Sequence, residues 1–195
     1  MLIDANDQRG IDVGAISKIP FDQVVSHADD SFTLEGTNGP VYQYARDAVE
    51  LHLTVGERRV VLIGVHFRAK TMDDPDKRLA EAQHTRAIAD EITLADPTAA
   101  VAILGDFNDL PDSPPLLAIQ GSGEGAYSNA AMLAPLADRW TYDFNGVLEL
   151  VDHQMVSPVL WARLDKTSVA IPHGPQIDDA SDHAPVVATY YPGTP

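Results

Sequence analysis

The chain has no cysteine. That absence excludes a disulfide framework, a thiol nucleophile and a thiolate metal site. Basic residues are also scarce: 13 lysines and arginines stand against 29 aspartates and glutamates, a formal net charge of −16. A surface of that sign repels a polyanion, which argues against tight nucleic-acid binding through a basic patch. It leaves room for a protein that meets a phosphate through a divalent cation, because the ion reverses the local field. No apolar run is long enough to span a bilayer. The opening MLIDANDQRG has neither the basic region nor the apolar stretch of a secretory signal. No internal repeat or divided composition breaks the chain. Residues 1–195 therefore read as one domain, large enough to bury a core without covalent or metal staples.

What is present alternates between strand and helix patterns. GIDVGAISKI (10–19) reads as a strand with Ile11, Val13 and Ala15 on one face. DQVVSH (22–27) fits a short strand, and SFTLEGTNGP (31–40) a polar, glycine-rich connection. DAVELHLTV (47–55) and RRVVLIGVHF (58–67) read as two strands of a hairpin turning at Gly56 and Glu57. A helix is predicted between Thr71 and Pro97: Asp73 or Asp74 caps it and Pro75 suits its first turn. Leu79, Ala82, Ile88 and Ile92 form its apolar face, and Pro97 stops it. AAVAILGDF (99–107) is nearly continuous in apolar residues, as expected of a strand covered on both sides. SPPLLAI (113–119) begins a short helix capped by Ser113, and LELVDHQMVS (148–157) and APVVATYY (184–191) are strand-like. The pattern is that of an α/β or α+β layered domain.

The chemistry gathers at strand ends. Asp106 and Asn108 are two residues apart, so an extended chain points both to one side, just beyond a buried strand. A carboxylate there can take a proton from water or bind a hard cation, and an amide can donate to a phosphoryl oxygen without adding negative charge. The same two residues also suit a polar turn. His66 ends another apolar strand, with Arg68 and Lys70 close behind, and alone it reads equally as a hydrogen-bonded structural histidine. Asp152 heads a strand. Asp182 and His183 sit in a loop ended by Pro185, and adjacent residues of an extended chain point apart, free to serve a metal and a phosphate separately.

Taken in order, HF near a basic residue, GDFND, D-H-x-x-V-S and SDHAPVV resemble the endonuclease/exonuclease/phosphatase superfamily. NDQRGIDVGAISK and YARDAVELHL resemble segments of a bacterial branch of it, so the resemblance covers nearly the whole chain. It implies a DNase I-like fold: two packed mixed β-sheets flanked by helices. It implies a divalent-metal-dependent phosphodiester hydrolase, nuclease-like, with water attacking phosphorus and Mg2+, Mn2+ or Ca2+ as cofactor. A phosphomonoesterase or lipid phosphodiesterase is the alternative within the family, and a non-catalytic relative that kept the fold for binding is the rival outside it. Asp106 resembles the residue that positions or deprotonates the attacking water. Asn108 resembles the amide that holds the phosphate and supports the metal. Asp182 matches a metal-site carboxylate and His183 the histidine that stabilises the transition state, oriented by Asp152. His66 and Arg46 resemble phosphate or leaving-group contacts, and Arg9 a structural bridge between carboxylates. The substrate implied is a phosphodiester, DNA or RNA included, held weakly by so acidic a surface.

One part of the family pattern has no counterpart. Its N-terminal strands, which carry a Gln-Glu segment with the principal Mg2+ ligand, are missing from this sequence, and only Glu35 and Glu149 are stand-ins to consider. One sheet is therefore expected to be short of strands. Unpaired edges and a bare apolar face recruit a second chain, so a homodimer is expected.

Overall fold

A computed structural model describes residues 5–7 and 9–191. In chain order its strands are β1 (Gln23–Val25), β2 (Phe32–Thr33), β3 (Val41–Tyr42), β4 (Ala48–Val55), β5 (Arg58–His66), β6 (Ala100–Asp106), β7 (Ser128–Asn129), β8 (Tyr142–Phe144), β9 (Val147–Glu149) and β10 (Asp152–Val156). The helices are α1 (Pro75–Ala95), α2 (Pro114–Gln120), α3 (Pro158–Trp161) and α4 (Pro175–Asp178). Six strands make one sheet in the order β1-β4-β5-β6-β10-β7, and β2-β3 and β8-β9 are separate two-stranded ribbons. Only β5 and β6 are parallel, joined through α1 as a parallel pair requires. The rest of the sheet is antiparallel.

Local chemistry explains the long elements. Asp74 caps α1 by accepting a hydrogen bond from the Lys77 amide at 3.0 Å, and Pro75 occupies the first turn. The helix ends at Ala95, ahead of Pro97. Its inward stripe is Arg78, Glu81, Ala82, Thr85, Ile88, Ala89 and Ile92, and Leu79 is half-buried beside it. Ala82, Ile88, Ala89 and Ile92 pack on Val61, Ile63 and Val65 of β5 and on Val101 and Ile103 of β6. Each buried isoleucine or valine there contributes roughly 1.5–3 kcal/mol relative to exposure. On the opposite face, Ala100, Ala102 and Val156 meet Leu160 of α3, with Val60, Leu62 and Leu104 only partly covered. A third cluster under this face holds Leu150, Leu164, Val169, Ile171 and Ala184.

This is a mixed α/β domain of packed sheets flanked by helices. The second layer is less regular than the sequence suggests. Residues 10–19 form no named strand. Ile11, Val13 and Ala15 are half-buried, Val13 lies over Gly64 of β5, and Ile16 is fully exposed. Residues 184–191 form no named strand either: their β-pairing is confined to the isolated bridges Ala170–Val187 and Leu164–Tyr190, and the segment is otherwise held by single hydrogen bonds such as Gln154 Nε2 to the Val186 carbonyl. Alternation predicts an extended chain, but a strand needs a neighbour in register over several residues, and two single bridges do not supply it. The run 148–157 divides: Leu150 and Val151 turn the chain between β9 and β10, so one predicted strand serves two sheets.

Candidate active site

Register assembles the site. His66 on β5 pairs with Asp106 on β6, and Asp106 pairs with Asp152 on β10, so three strands place three polar residues in one row. Gly105 makes that row possible. Its φ is +137°, and a Cβ there would lie 2.0 Å from the Val65 carbonyl oxygen. Beyond the row, Asn108 has φ of 51°, a left-handed bend that asparagine tolerates. The bend returns the Asn108 amide to Asp106 Oδ1 at 2.8 Å and its Nδ2 to Asp106 Oδ2 at 3.1 Å. Nδ2 also donates to the Phe67 carbonyl at 3.1 Å. Both side-chain hydrogens are thus engaged inside the protein, and the atom left for a ligand is Oδ1, an acceptor. That differs from the expectation that this amide donates to a phosphoryl oxygen.

A buried frame holds the loop. Phe67 and Phe107 meet edge to face at 5.1 Å, and Phe107 meets His153 at 5.2 Å. His153 donates from Nε2 to the Asp109 carbonyl at 3.0 Å and accepts from Asn129 Nδ2 at 2.9 Å, and burial lowers its pKa, favouring the neutral ring. Arg78 reaches from α1 to Asp109 at 2.9 Å and to Asp73 at 2.6 Å, tying the β5–α1 loop to the Asn108 loop.

His183 arrives from the C-terminal segment. Its Nδ1 lies 2.7 Å from Asp152 Oδ2, and that hydrogen bond raises its pKa against the opposing effect of burial. The Asp152 amide donates to Thr141 Oγ1, and the Ala184 amide to the Thr141 carbonyl, so one buried threonine sets the spacing of the pair. Asp106 is pushed up to about 6 by burial and by the neighbouring Asp152 charge. His66 is pushed down to about 4, first by burial and then by the positive Arg46 and His183. Its Nε2 lies 3.3 Å from Asp106, but a neutral imidazole makes this a polar contact and no ion pair at neutral pH. The site therefore holds a carboxyl group shifted up, one imidazole shifted down and a second imidazole shifted up, so the two histidines are driven apart in pKa.

These groups line one cleft of about 810 Å3, together with Asp182, Arg46 and Arg9. Asp182 is exposed. Arg46 is only 2% exposed, with Nε 2.8 Å from Asp7 and Nη1 donating to the Phe67 carbonyl at 3.1 Å. Its charge sits in the cleft wall, with Nη1 committed to Phe67 and Nε close to Asp7 but without a hydrogen bond. Arg9 grips the single carboxylate of Asp7, through Nε at 3.1 Å and Nη2 at 3.0 Å, and bridges no second one among the described residues. Those bonds hold Asp7 well below the usual carboxylate range. Glu149 lines the cleft 3.9 Å from Lys70, whereas Glu35 is exposed on the β2–β3 connection, where its amide bonds Gln83.

A sequence profile described as the Endonuclease/Exonuclease/phosphatase family matches residues 2–181. The chain belongs to that family. Truncated TDP2 from Caenorhabditis elegans superposes with a TM-score of 0.64 at 20% identity, covering 90% of this chain and 69% of that one. The human Nocturnin catalytic domain with bound sulfate gives 0.61 at 16% identity, over 88% and 60%. A family protein from Bacteroides thetaiotaomicron gives 0.61 at 14%, over 88% and 63%. At such identities the likeness is one of fold. The longer C. elegans TDP2 structures are covered over 52% and 53% of their length. No curated protein matches the sequence.

Members of this family generally use divalent metals, and the cleft suits one by its donor chemistry. Asn108 Oδ1 and the carboxylates of Asp106 and Asp182 are hard oxygen donors lining the same cleft. Among the described residues, no group of three or more carboxylate or imidazole side chains is placed to hold a metal ion by itself. Mg2+ does not require one, being commonly held by one or two carboxylates, waters and substrate phosphate.

Sequence reasoning passed over the β8–β9 ribbon, whose Tyr142 and Phe144 line the cleft together with Ala69, Lys70 and Thr71. The signal was present: TYDFNGVLE alternates around Asn-Gly, the strongest short-range mark of a hairpin.

Proposed function

We propose that this cleft hydrolyses phosphodiesters with water as nucleophile and a divalent cation bound. The observation that supports this best is the pairing, in one cleft, of Asp106, raised to about 6, with His183, whose ring Asp152 holds at 2.7 Å and whose pKa that bond raises. A base with a pKa just below neutral is ionised at pH 7 yet still accepts a proton from water as the water attacks phosphorus. Asn108 fixes the orientation of that carboxylate. Nδ1 of His183 is committed to Asp152, a bond that favours the protonated ring, and in that form Nε2 donates to a non-bridging oxygen as charge builds on the pentacovalent centre. The bond from phosphorus to the leaving oxygen breaks, and that oxygen takes a proton from solvent. His66 and Arg46 face the same phosphate group from the β5 side. Asp182, Asp106 and Asn108 would hold Mg2+, Mn2+ or Ca2+, which when bound would neutralise the developing charge.

The test is hydrolysis of bis(p-nitrophenyl) phosphate and plasmid DNA with Mg2+ or Mn2+. Chelator should stop it, and Asp106→Ala and His183→Ala should each lower the rate on the order of 10²-fold or more. Wild-type turnover that survives both substitutions would contradict the assignment. Complete inactivity with every divalent ion would favour the non-catalytic rival. Duplex DNA should bind weakly and through the cation, and a nanomolar, metal-independent affinity would contradict that.

Assembly belongs to the same reading. A second hollow of about 440 Å3 backs the Asp152–His183 pair, lined by Leu104, Ile177, Ala184 and Val186, on the face of the sheet away from α1. A homodimer covering this half-open face accounts for it. Light scattering that reports a monomer over a wide concentration range would remove the dimer and leave the hydrolase reading intact.

A further inference from the structure

The aromatic array does not end at His183. The Tyr142 ring lies 4.7 Å from the His183 ring at 29°, and the Phe144 ring 6.3 Å from Tyr142 at 28°. Three rings in near-parallel steps thus lead outward from the candidate catalytic centre. The ribbon's register puts Tyr142 opposite Glu149 and Phe144 opposite Val147, so these four share one face, and Tyr142, Phe144 and Glu149 line the cleft. An isolated bridge between the Tyr142 and His183 backbones fixes the ribbon to the segment that carries the imidazole. The turn at Asn145 and Gly146, with φ of 53° and 86°, keeps the ribbon short and its reach defined.

The outer end of this wall is open. Phe144 is 56% exposed and Val147 59% exposed. Single exposed apolar residues are ordinary on any surface. Here two are paired across one ribbon, on the side that walls a cleft whose floor is polar and charged. That combination, an apolar aromatic wall with a few convergent polar groups, is the usual make-up of a small-ligand site. A ligand offering only phosphate would leave the wall wet. A long polyanion would meet a chain of net charge −16 whose exposed Arg9 is already bound to Asp7.

We infer that Phe144, backed by Val147, is a stacking platform for a flat aromatic group esterified to the phosphate, so that the substrate class is a small nucleotidyl or aryl phosphodiester. This rests on the hydrolase reading for the position of the phosphate, but its test does not need turnover. One side of the Phe144 ring is taken by Tyr142, and the open remainder receives the ligand ring as rings of every kind stack, by their π faces and without base-specific hydrogen bonds. Phe144 contributes to binding and takes no part in the chemical step.

The experiment measures binding of three phosphate monoesters by calorimetry, with Ca2+ present: adenosine 5′-monophosphate, phenyl phosphate and ribose 5-phosphate. At least one ring-bearing ligand should bind the wild type about tenfold more tightly than ribose 5-phosphate. Phe144→Ala should erase that advantage, and Phe144→Trp should keep it. An advantage for adenosine 5′-monophosphate alone assigns the platform to a nucleobase, and one for phenyl phosphate to an aryl ester directly on phosphorus. The inference is overturned if all three bind within twofold of one another, if none binds, or if the advantage survives in Phe144→Ala. Loss of turnover in Asp106→Ala with ring-dependent binding retained would separate this platform from the chemistry beside it.

Discussion

Replacing Gly105 by alanine is the sharpest single perturbation of the fold beneath the site. The new Cβ would sit 2.0 Å from the Val65 carbonyl oxygen, where ordinary contact begins at 3.4 Å, so β5 and β6 would have to part locally by about 1.4 Å. The φ of +137° is itself unfavourable for any residue with a Cβ, at about 1–3 kcal/mol. Parting the strands also weakens one or two ladder hydrogen bonds at about 1 kcal/mol each. The expected loss is about 2–5 kcal/mol, a large share of the roughly 5–15 kcal/mol of a typical domain. That corresponds to a fall in Tm of roughly 4–20 °C for a chain of this size. Urea unfolding followed by circular dichroism measures it directly, with Gly125→Ala as the control, since a Cβ there meets nothing within 4 Å. The control should be neutral within about 0.5 kcal/mol. A Gly105→Ala loss below about 1 kcal/mol with an unchanged m-value would refute the reasoning. Any residual activity should fall on the order of 10²-fold, because Asp106 is the next residue and an ångström of displacement is enough.

Asp152→Asn should lower the hydrolysis rate on the order of 10²-fold while leaving the fold intact, because an amide orients the imidazole without stabilising its charge; a rate within threefold of wild type would argue against the His183 assignment. Arg78→Met should destabilise by about 2–3 kcal/mol in urea, since it leaves the largely buried Asp109 without its partner at 2.9 Å. His27 lies between Asp30 at 2.9 Å and Glu50 at 3.1 Å, with Asp47, His52, His84 and Arg59 around that network. Burial lowers the His27 pKa, but the bonds to the two carboxylates outweigh it and the net shift is upward, while Asp30 and Glu50 are shifted down. The stabilisation from His27 is therefore full below its ordinary pKa of 6.5 and fades as pH rises through the folded value. The carboxylates' share is present above 3.8 for Asp30 and 4.5 for Glu50, and is lost as pH falls through their lowered folded values. His27→Gln should thus cost most stability near pH 6 and progressively less toward pH 8, and a difference that grows with pH would contradict the network.

Several parts of this protein were legible before any coordinates. The hairpin of residues 47–67, the capped helix ahead of Pro97 and the buried strand into Asp106 are governed by neighbours in sequence: alternation, caps and turns act within a few residues. The chemical inventory at the strand ends was equally visible, because carboxylates, amides and imidazoles ending apolar runs are read directly. Other features were not. Residues 10–19 and 184–191 have strand periodicity yet form no named strand, since pairing depends on what lies alongside. The row His66–Asp106–Asp152 depends on the register of three strands, whose members are far apart in the chain. The pKa values of about 6 and about 4 arise from burial and from charges that only folding brings near. Likewise, that Asn108 keeps its amide hydrogens for the protein, and that Phe144 stands open beside the cleft, are facts of packing. By itself the sequence determined which elements form and which reactive groups end them, because those follow from short-range forces. Only the tertiary structure decided which groups meet, in what protonation state and with which atoms left free, because those depend on distance and dielectric in three dimensions.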